Sequence, residues 1–165
     1  MAEAEFNTEP IYEVGAATIT ELKRRADDSP RGRYRLCLHR TTDHPVQEMV
    51  IVCDRGTYFR PHRHPRSKGE SLHMIEGELT VFFFDDQGAV IRTVELGAPE
   101  TGKTFYYRQD GDIWHLHVPR SDRVVFHETR TGPFDRDQDN EYATWSPDES
   151  DTDAVTAFLS RLGDC

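Results

Sequence analysis

Two histidines one residue apart, His62 and His64, are followed six positions later by Glu70, and a second pair at the same spacing, His115 and His117, lies further on. They sit in "GTYFRPHRHPRSKGESLHMIEGEL" and "GDIWHLHV". Imidazole and carboxylate together suit a divalent first-row ion: Fe, Mn, Ni, Co or Zn. Side chains alternate across a strand, so in an extended segment Tyr58, Arg60, His62 and His64 share one face, as do Glu70, Leu72 and Met74, with His73 on the other. His62, His64, Glu70 and His115 are therefore the candidate ligands for one divalent metal. His117 is one ring beyond that set, a candidate proton carrier, substrate contact or hydrogen-bonded filler. Arg60 and Tyr58 are candidate substrate-binding residues. An arginine pointing inward needs an anion or a carboxylate, and the plain alternative is a salt bridge to a buried acid such as Glu48. Because a free histidine titrates at about 6.5, metal affinity is expected to fall steeply below roughly pH 6.

Short strands must hold these residues. From Tyr34 to about Glu128 the chain reads as β-rich runs such as "VQEMVIVC", "LTVFFFDD" and "RVVFHE", punctuated by Asp, Gly and Pro, which suggests a sandwich or barrel. "DDQG" reads as a tight hairpin in which Gly88 takes a positive φ. Residues 18–27 predict a short helix, with Thr18 and Glu21 at capping-box spacing, and "DAVTAFLSRLG" predicts a final helix ending at Gly163. The acidic stretch 135–153 reads as a surface strap pinned by Tyr142 and Trp145. One domain is expected from 165 residues. It divides into an N-terminal arm and helix (1–33), a barrel (34–134) and a C-terminal strap and helix (135–165). His73 and His127 read as structural or exposed, as do His39 and His44.

The spacing from Gly56 through His62, His64 and Glu70 to Gly77 resembles the first cupin motif with one extra residue before the glutamate, and "GDIWH" resembles the second, with Asp112 where glycine is usual. The order of motifs from about residue 18 to 160 resembles the WbuC family of cupin-fold metalloproteins. That resemblance implies a mainly β, jelly-roll cupin barrel with short terminal helices, a metal held by the four ligands, and an association with surface-polysaccharide biosynthesis.

A net charge of −10 argues against a nucleic-acid partner. No apolar run is long enough to span a bilayer, and Cys37, Cys53 and Cys165 form no CxxC pair, so a cytoplasmic protein with reduced thiols and no membrane partner is expected. A homodimer is expected, with the N-terminal segment free to pair. Three functions fit: a small metalloenzyme acting on a sugar-derived or carboxylate-bearing metabolite, a non-haem iron dioxygenase, and a non-catalytic, metal-stabilised binding or accessory protein.

Overall fold

The structure is a computed structural model that describes residues 3–163, so Cys165 lies outside the described residues. In chain order the elements are β1 (Ala4–Phe6), α1 (Ala16–Asp27), β2 (Arg33–Cys37), β3 (Val46–Asp54), β4 (His62–Arg63), β5 (Glu70–Glu76), β6 (Glu78–Phe84) and β7 (Val90–Gly97). A 3₁₀ turn at Pro99–Thr101 leads to β8 (Tyr106–Gln109), β9 (Trp114–Pro119), β10 (Arg123–Thr131), β11 (Glu141–Tyr142) and α2 (Thr152–Arg161).

The strands form two sheets, ordered β1-β2-β3-β10-β5-β8 and β11-β4-β9-β6-β7. All pairings except β1 with β2 are antiparallel. The result is a mainly β, two-sheet fold with a helix near each end of the chain, as expected. The expected barrel closure is not found: β1 and β8 edge one sheet, β11 and β7 the other, and the layers stack as an open sandwich.

Alternation along the strands explains the layering. The faces that meet carry Cys53, Leu72, Met74, Leu79, Val81, Leu96, Val124 and Phe126, all almost fully buried. Burial of each large side chain among them is worth about 1.5 to 3 kcal/mol. Outside the six-stranded sheet, α1 packs Ile19, Leu22 and Ala26 on Leu36, Val50, Val52 and Val125. Outside the five-stranded sheet, Phe158 and Leu159 of α2 pack on Phe82, Phe84, Trp114 and Leu116, with Trp145 of the strap among them. "ELTVFFF" is apolar on both faces because both are covered.

Local signals were displaced in two places. Helix α1 begins at Ala16 behind Gly15, so Thr18 occupies the third helical position and its hydroxyl accepts the Gly15 N–H at 3.4 Å. The run "TYFRPHRH" is strand only at His62–Arg63, because Pro61 and Pro65 flank it and neither can donate to a ladder. The hairpin at 85–88 forms as expected, with Gly88 at φ +84° and its Cα against the Trp145 ring. Helix α2 is capped by Asp151, whose carboxylate accepts the Ala154 N–H at 3.0 Å. Among the described residues no helix is long and apolar enough to cross a membrane.

Candidate metal centre and its cavity

Strand β4 lies against β9 with His62 directly opposite His115, and the chain continues to His64 on the same side. Those three rings come from the five-stranded sheet. Glu70 enters from the first residue of β5 in the other sheet. One ligand atom from each of the four lies within 4.8 Å of all the others. Ring centroids are 4.9 Å apart for His62 and His64, 4.4 Å for His62 and His115, and 5.1 Å for His64 and His115.

Backbone carbonyls orient the rings. Nδ1 lies 2.9 Å from the Arg60 oxygen in His62, 2.8 Å from the Asp139 oxygen in His64 and 2.9 Å from the Ile113 oxygen in His115. A carbonyl can only accept, so Nδ1 of His62 and of His115 carries the proton and Nε2 presents its lone pair. The His64 ring has partners for either tautomer, Nδ1–H donating to the Asp139 oxygen, or Nε2–H donating to Glu70 Oε2 while Nδ1 accepts from Arg130. Arg130 Nη2 lies 2.9 Å from His64 Nδ1 and donates to it only in the tautomer that leaves Nδ1 unprotonated; Asn140 Oδ1, at 3.1 Å, is a second acceptor for that guanidinium. His64 Nε2 lies 2.9 Å from Glu70 Oε2, and His115 Nε2 lies 3.6 Å from Oε1.

His115 Nε2 is buried without a hydrogen-bond partner among the described residues. An orphaned buried acceptor costs about 1 to 3 kcal/mol, and a cation would satisfy it together with the other two rings and the carboxylate. The donor set therefore fits a divalent ion of the imidazole- and carboxylate-binding kind. Burial holds the His115 imidazole down at about 3 and the His62 imidazole well below its ordinary value. Burial pushes the Glu70 carboxyl up, but the His115, His64 and His117 rings pull it further down, and the net direction is well below the usual carboxylate range.

Two members of the cluster, His62 and Glu70, line a cavity of about 670 Å³. His117 lies on its wall, buried, with Nε2 3.0 Å from the Tyr107 hydroxyl and 3.5 Å from Glu70 Oε1. Burial holds Tyr107 well above its ordinary range, so its O–H stays protonated, with His117 Nε2 and, at 3.4 Å, Glu70 Oε1 as partners. Arg60 also reaches the cavity, but its guanidinium is held by the strap: Ser146 Oγ at 3.3 Å, Asp148 Oδ2 at 3.1 Å and the Ala143 oxygen at 3.4 Å. The acid paired with it is Asp148, not Glu48. Tyr58 leaves the ligand face altogether: it is buried against Phe158 and its hydroxyl donates to the Pro147 oxygen at 3.2 Å. With no regular strand before His62, parity does not carry back to it, and Phe59 lines the cavity instead.

Sequence parity could have found several residues that it left aside. In "RYRLC" Leu36 faces α1, which turns Arg33, Arg35 and Cys37 to the interior. In "RVVFHETRT" Val124 and Phe126 face the core, so Glu128 and Arg130 continue the inward side. Glu128 accepts no hydrogen bond from the described residues, and burial, reinforced by the Glu70 charge, raises its carboxyl to about 7. Arg35 has no carboxylate within salt-bridge distance among the described residues, and Arg130 has Glu70 only at 3.9 Å. His39 is buried, its Nδ1 within 3.0 Å of Glu48 backbone atoms, and His73 packs beside Phe105 and Tyr106 on the outer face.

Fold and site together define a mainly β, two-sheet protein with a buried cluster of three histidines and a glutamate compatible with metal binding. The structure of SO0799 from Shewanella oneidensis is similar with a TM-score of 0.59 at 13% identity, over 82% of this chain and 87% of that one. CapF, solved with the inhibitor 3-isopropenyl-tropolone, is similar with a TM-score of 0.52 at 18% identity, over 63% of this chain and 30% of CapF. A cupin superfamily protein from Desulfitobacterium hafniense aligns over 60% of this chain and 76% of its own, at 11% identity and a TM-score of 0.47. No curated protein matches in sequence. The family described as Domain of unknown function (DUF6016) matches residues 14–96, and the chain belongs to it.

Proposed function

We propose that this protein is a metal-dependent enzyme acting on a small anionic metabolite, sugar-derived or carboxylate-bearing. The observation that carries the proposal is the convergence of three imidazoles and the Glu70 carboxylate in a cluster that opens, through His62 and Glu70, on an arginine-lined cavity. His62, His64, Glu70 and His115 would hold the ion, which when bound supplies Lewis-acid polarisation or an acidified water.

The remaining roles fall to the chain itself. Arg35 and Arg130 orient the anionic group, since neither is fully neutralised within the protein. His117, neutral and hydrogen-bonded to Tyr107, holds or passes a proton at Nε2. Glu128 holds or releases a proton at its carboxyl near neutral pH. Phe59 and Phe134 on the wall limit water. We extend the proposal, on the motif resemblance to the WbuC family, to a cytoplasmic homodimer in surface-polysaccharide or related biosynthesis.

Elemental analysis of protein purified without an affinity tag tests the metal, with about one ion per chain expected. A screen of nucleotide sugars, hexuronates and small dicarboxylates, with and without air, then tests the activity and separates it from oxygen-dependent chemistry. Protein that stays metal-free after incubation with Fe, Mn, Ni, Co and Zn salts would overturn the reading.

A further inference from the structure

Beside the main cavity lies a second, smaller one of about 90 Å³, walled by Phe6, Cys37, Met49 and Phe134. Arg35, Arg130 and Phe134 line both cavities, so the two adjoin across a pair of guanidinium groups. Arg130 also reaches His64, one of the proposed metal ligands, at 2.9 Å. An anion held between Arg35 and Arg130 therefore has the metal cluster on one side and a largely apolar recess on the other.

The recess is reinforced by its surroundings. Phe6 stands edge-on to His39 with ring centroids 5.4 Å apart, and the His39 ring is held by the Glu48 backbone. Cys37 is buried, and burial raises its thiol to about 11, so it is a neutral wall and not a nucleophile. At roughly 30 Å³ for a water-sized group, the recess has room for about three heavy atoms.

We propose that the side cavity is a specificity subsite for a short apolar substituent, and that the ligand is a carboxylate whose charge is read by Arg35 and Arg130 while a chain of about three carbons enters between Cys37, Met49 and Phe134. This deepens the reading of the cavity as the site of an anionic metabolite and rests on it. Sugars or acids without such a substituent leave the recess unfilled.

The test is calorimetric titration of the protein, with the ion it retains, using the straight-chain series from acetate to hexanoate. Transfer of one methylene out of water corresponds to about a fourfold gain in affinity, so the dissociation constant should fall about fourfold per carbon through butyrate and level off at valerate. Arg35→Gln should weaken every member by a similar factor. Cys37→Leu fills the recess from its wall, and Thr42→Trp fills it from the rim at an exposed position where a failure to fold is not expected. Either filled variant should bind acetate as the wild type does but lose the dependence on chain length. Acetate binding that does not strengthen with length, or filled variants that keep the wild-type slope, overturns the subsite and leaves the anion site standing. Failure of the whole series to bind metal-loaded protein overturns the anionic-metabolite reading and the subsite with it.

Discussion

Replacing Glu70 by glutamine separates the ligand role of this carboxylate from its place in the fold. The two side chains have nearly the same shape, so packing against Leu72 and the three rings is kept, and only the charge is lost. That charge is 2% exposed, and its nearest guanidinium is Arg130 at 3.9 Å. At an effective dielectric of about 20 such a pair is worth about 4 kcal/mol, against a desolvation cost of several kcal/mol for each buried ion. The charge is therefore close to break-even without metal. The glutamine amide can also donate to the His64 Nε2 lone pair that now faces Glu70 Oε2 at 2.9 Å. Metal-free Glu70→Gln should thus melt a few degrees below wild type, because the surroundings that hold the Glu70 carboxyl well below its ordinary range also favour its charge over a neutral amide.

The metal response should fall as well. At an ion concentration one hundred times its dissociation constant, binding adds about 2.7 kcal/mol of stability. With an unfolding entropy of about 2.1 cal/mol/K per residue, this corresponds to a rise in Tm of about 8 °C for 165 residues. Removal of an anionic ligand that weakens the ion about one hundredfold cuts the rise to roughly 1 °C at the same concentration. Paired thermal melts, with chelator and with each of the five ions, read both quantities. A glutamine variant with the wild-type rise, or a metal-free variant destabilised by more than about 3 kcal/mol, would refute the assignment.

Acidification should weaken metal binding less than free histidines would suggest. Three ligands titrating at about 6.5 would each lose about thirtyfold between pH 7 and pH 5, whereas burial keeps the folded His62 and His115 rings neutral well below that range. Less than a tenfold change per ring by calorimetry is expected, and the full thirtyfold loss would contradict the burial argument. The stability of metal-free protein should nonetheless fall as pH drops through 6.5, since the unfolded chain takes up protons that the buried rings refuse. Glu128 has the opposite sign: its folded pKa of about 7 exceeds the unfolded value, so stability is lost as pH rises from about 4.5 through 7. Glu128→Gln should therefore stabilise the protein by about 2 to 3 kcal/mol at pH 8 and have little effect at pH 4, and equal Tm changes at both pH values would remove the buried-acid account. Arg60→Ala should lower stability by about 1 kcal/mol through its bonds to Ser146 and the Ala143 oxygen while leaving carboxylate affinity within about threefold; a tenfold loss of affinity would return Arg60 to the binding site.

The metal cluster was legible because strand parity and residue type agree at four positions, and β4, β5 and β9 keep that parity over the few residues that matter. Asp112 shows how a departure from a motif can be absorbed. It sits at φ +69°, the conformation for which glycine is favoured, with its N–H on the His64 oxygen at 2.7 Å and its carboxylate 3.4 Å from Arg63. Tyr58 lies off the ligand face because parity was extended across a stretch that Pro61 and Pro65 keep out of the ladder, whereas Arg60 does line the cavity. Barrel closure failed as an expectation because run lengths and turns do not encode whether outer strands pair across the gap. Arg35, Glu128 and Arg130 were overlooked because an inward charge on a strand looks like a surface residue until the face of its neighbours is known.

The four donors are unevenly shared between the layers: three rings belong to the five-stranded sheet and one carboxylate to the six-stranded sheet. On one side of the cluster the layers are joined by Phe126, Leu72 and their neighbours; on the other they are parted by a cavity. An ion at the cluster would act as a rivet where the sandwich has no filling. It would set the spacing of the two layers and so the width of the mouth that a ligand must pass. Loading with metal would then be a mechanical event as well as a chemical one, tying the two layers together beside the cavity.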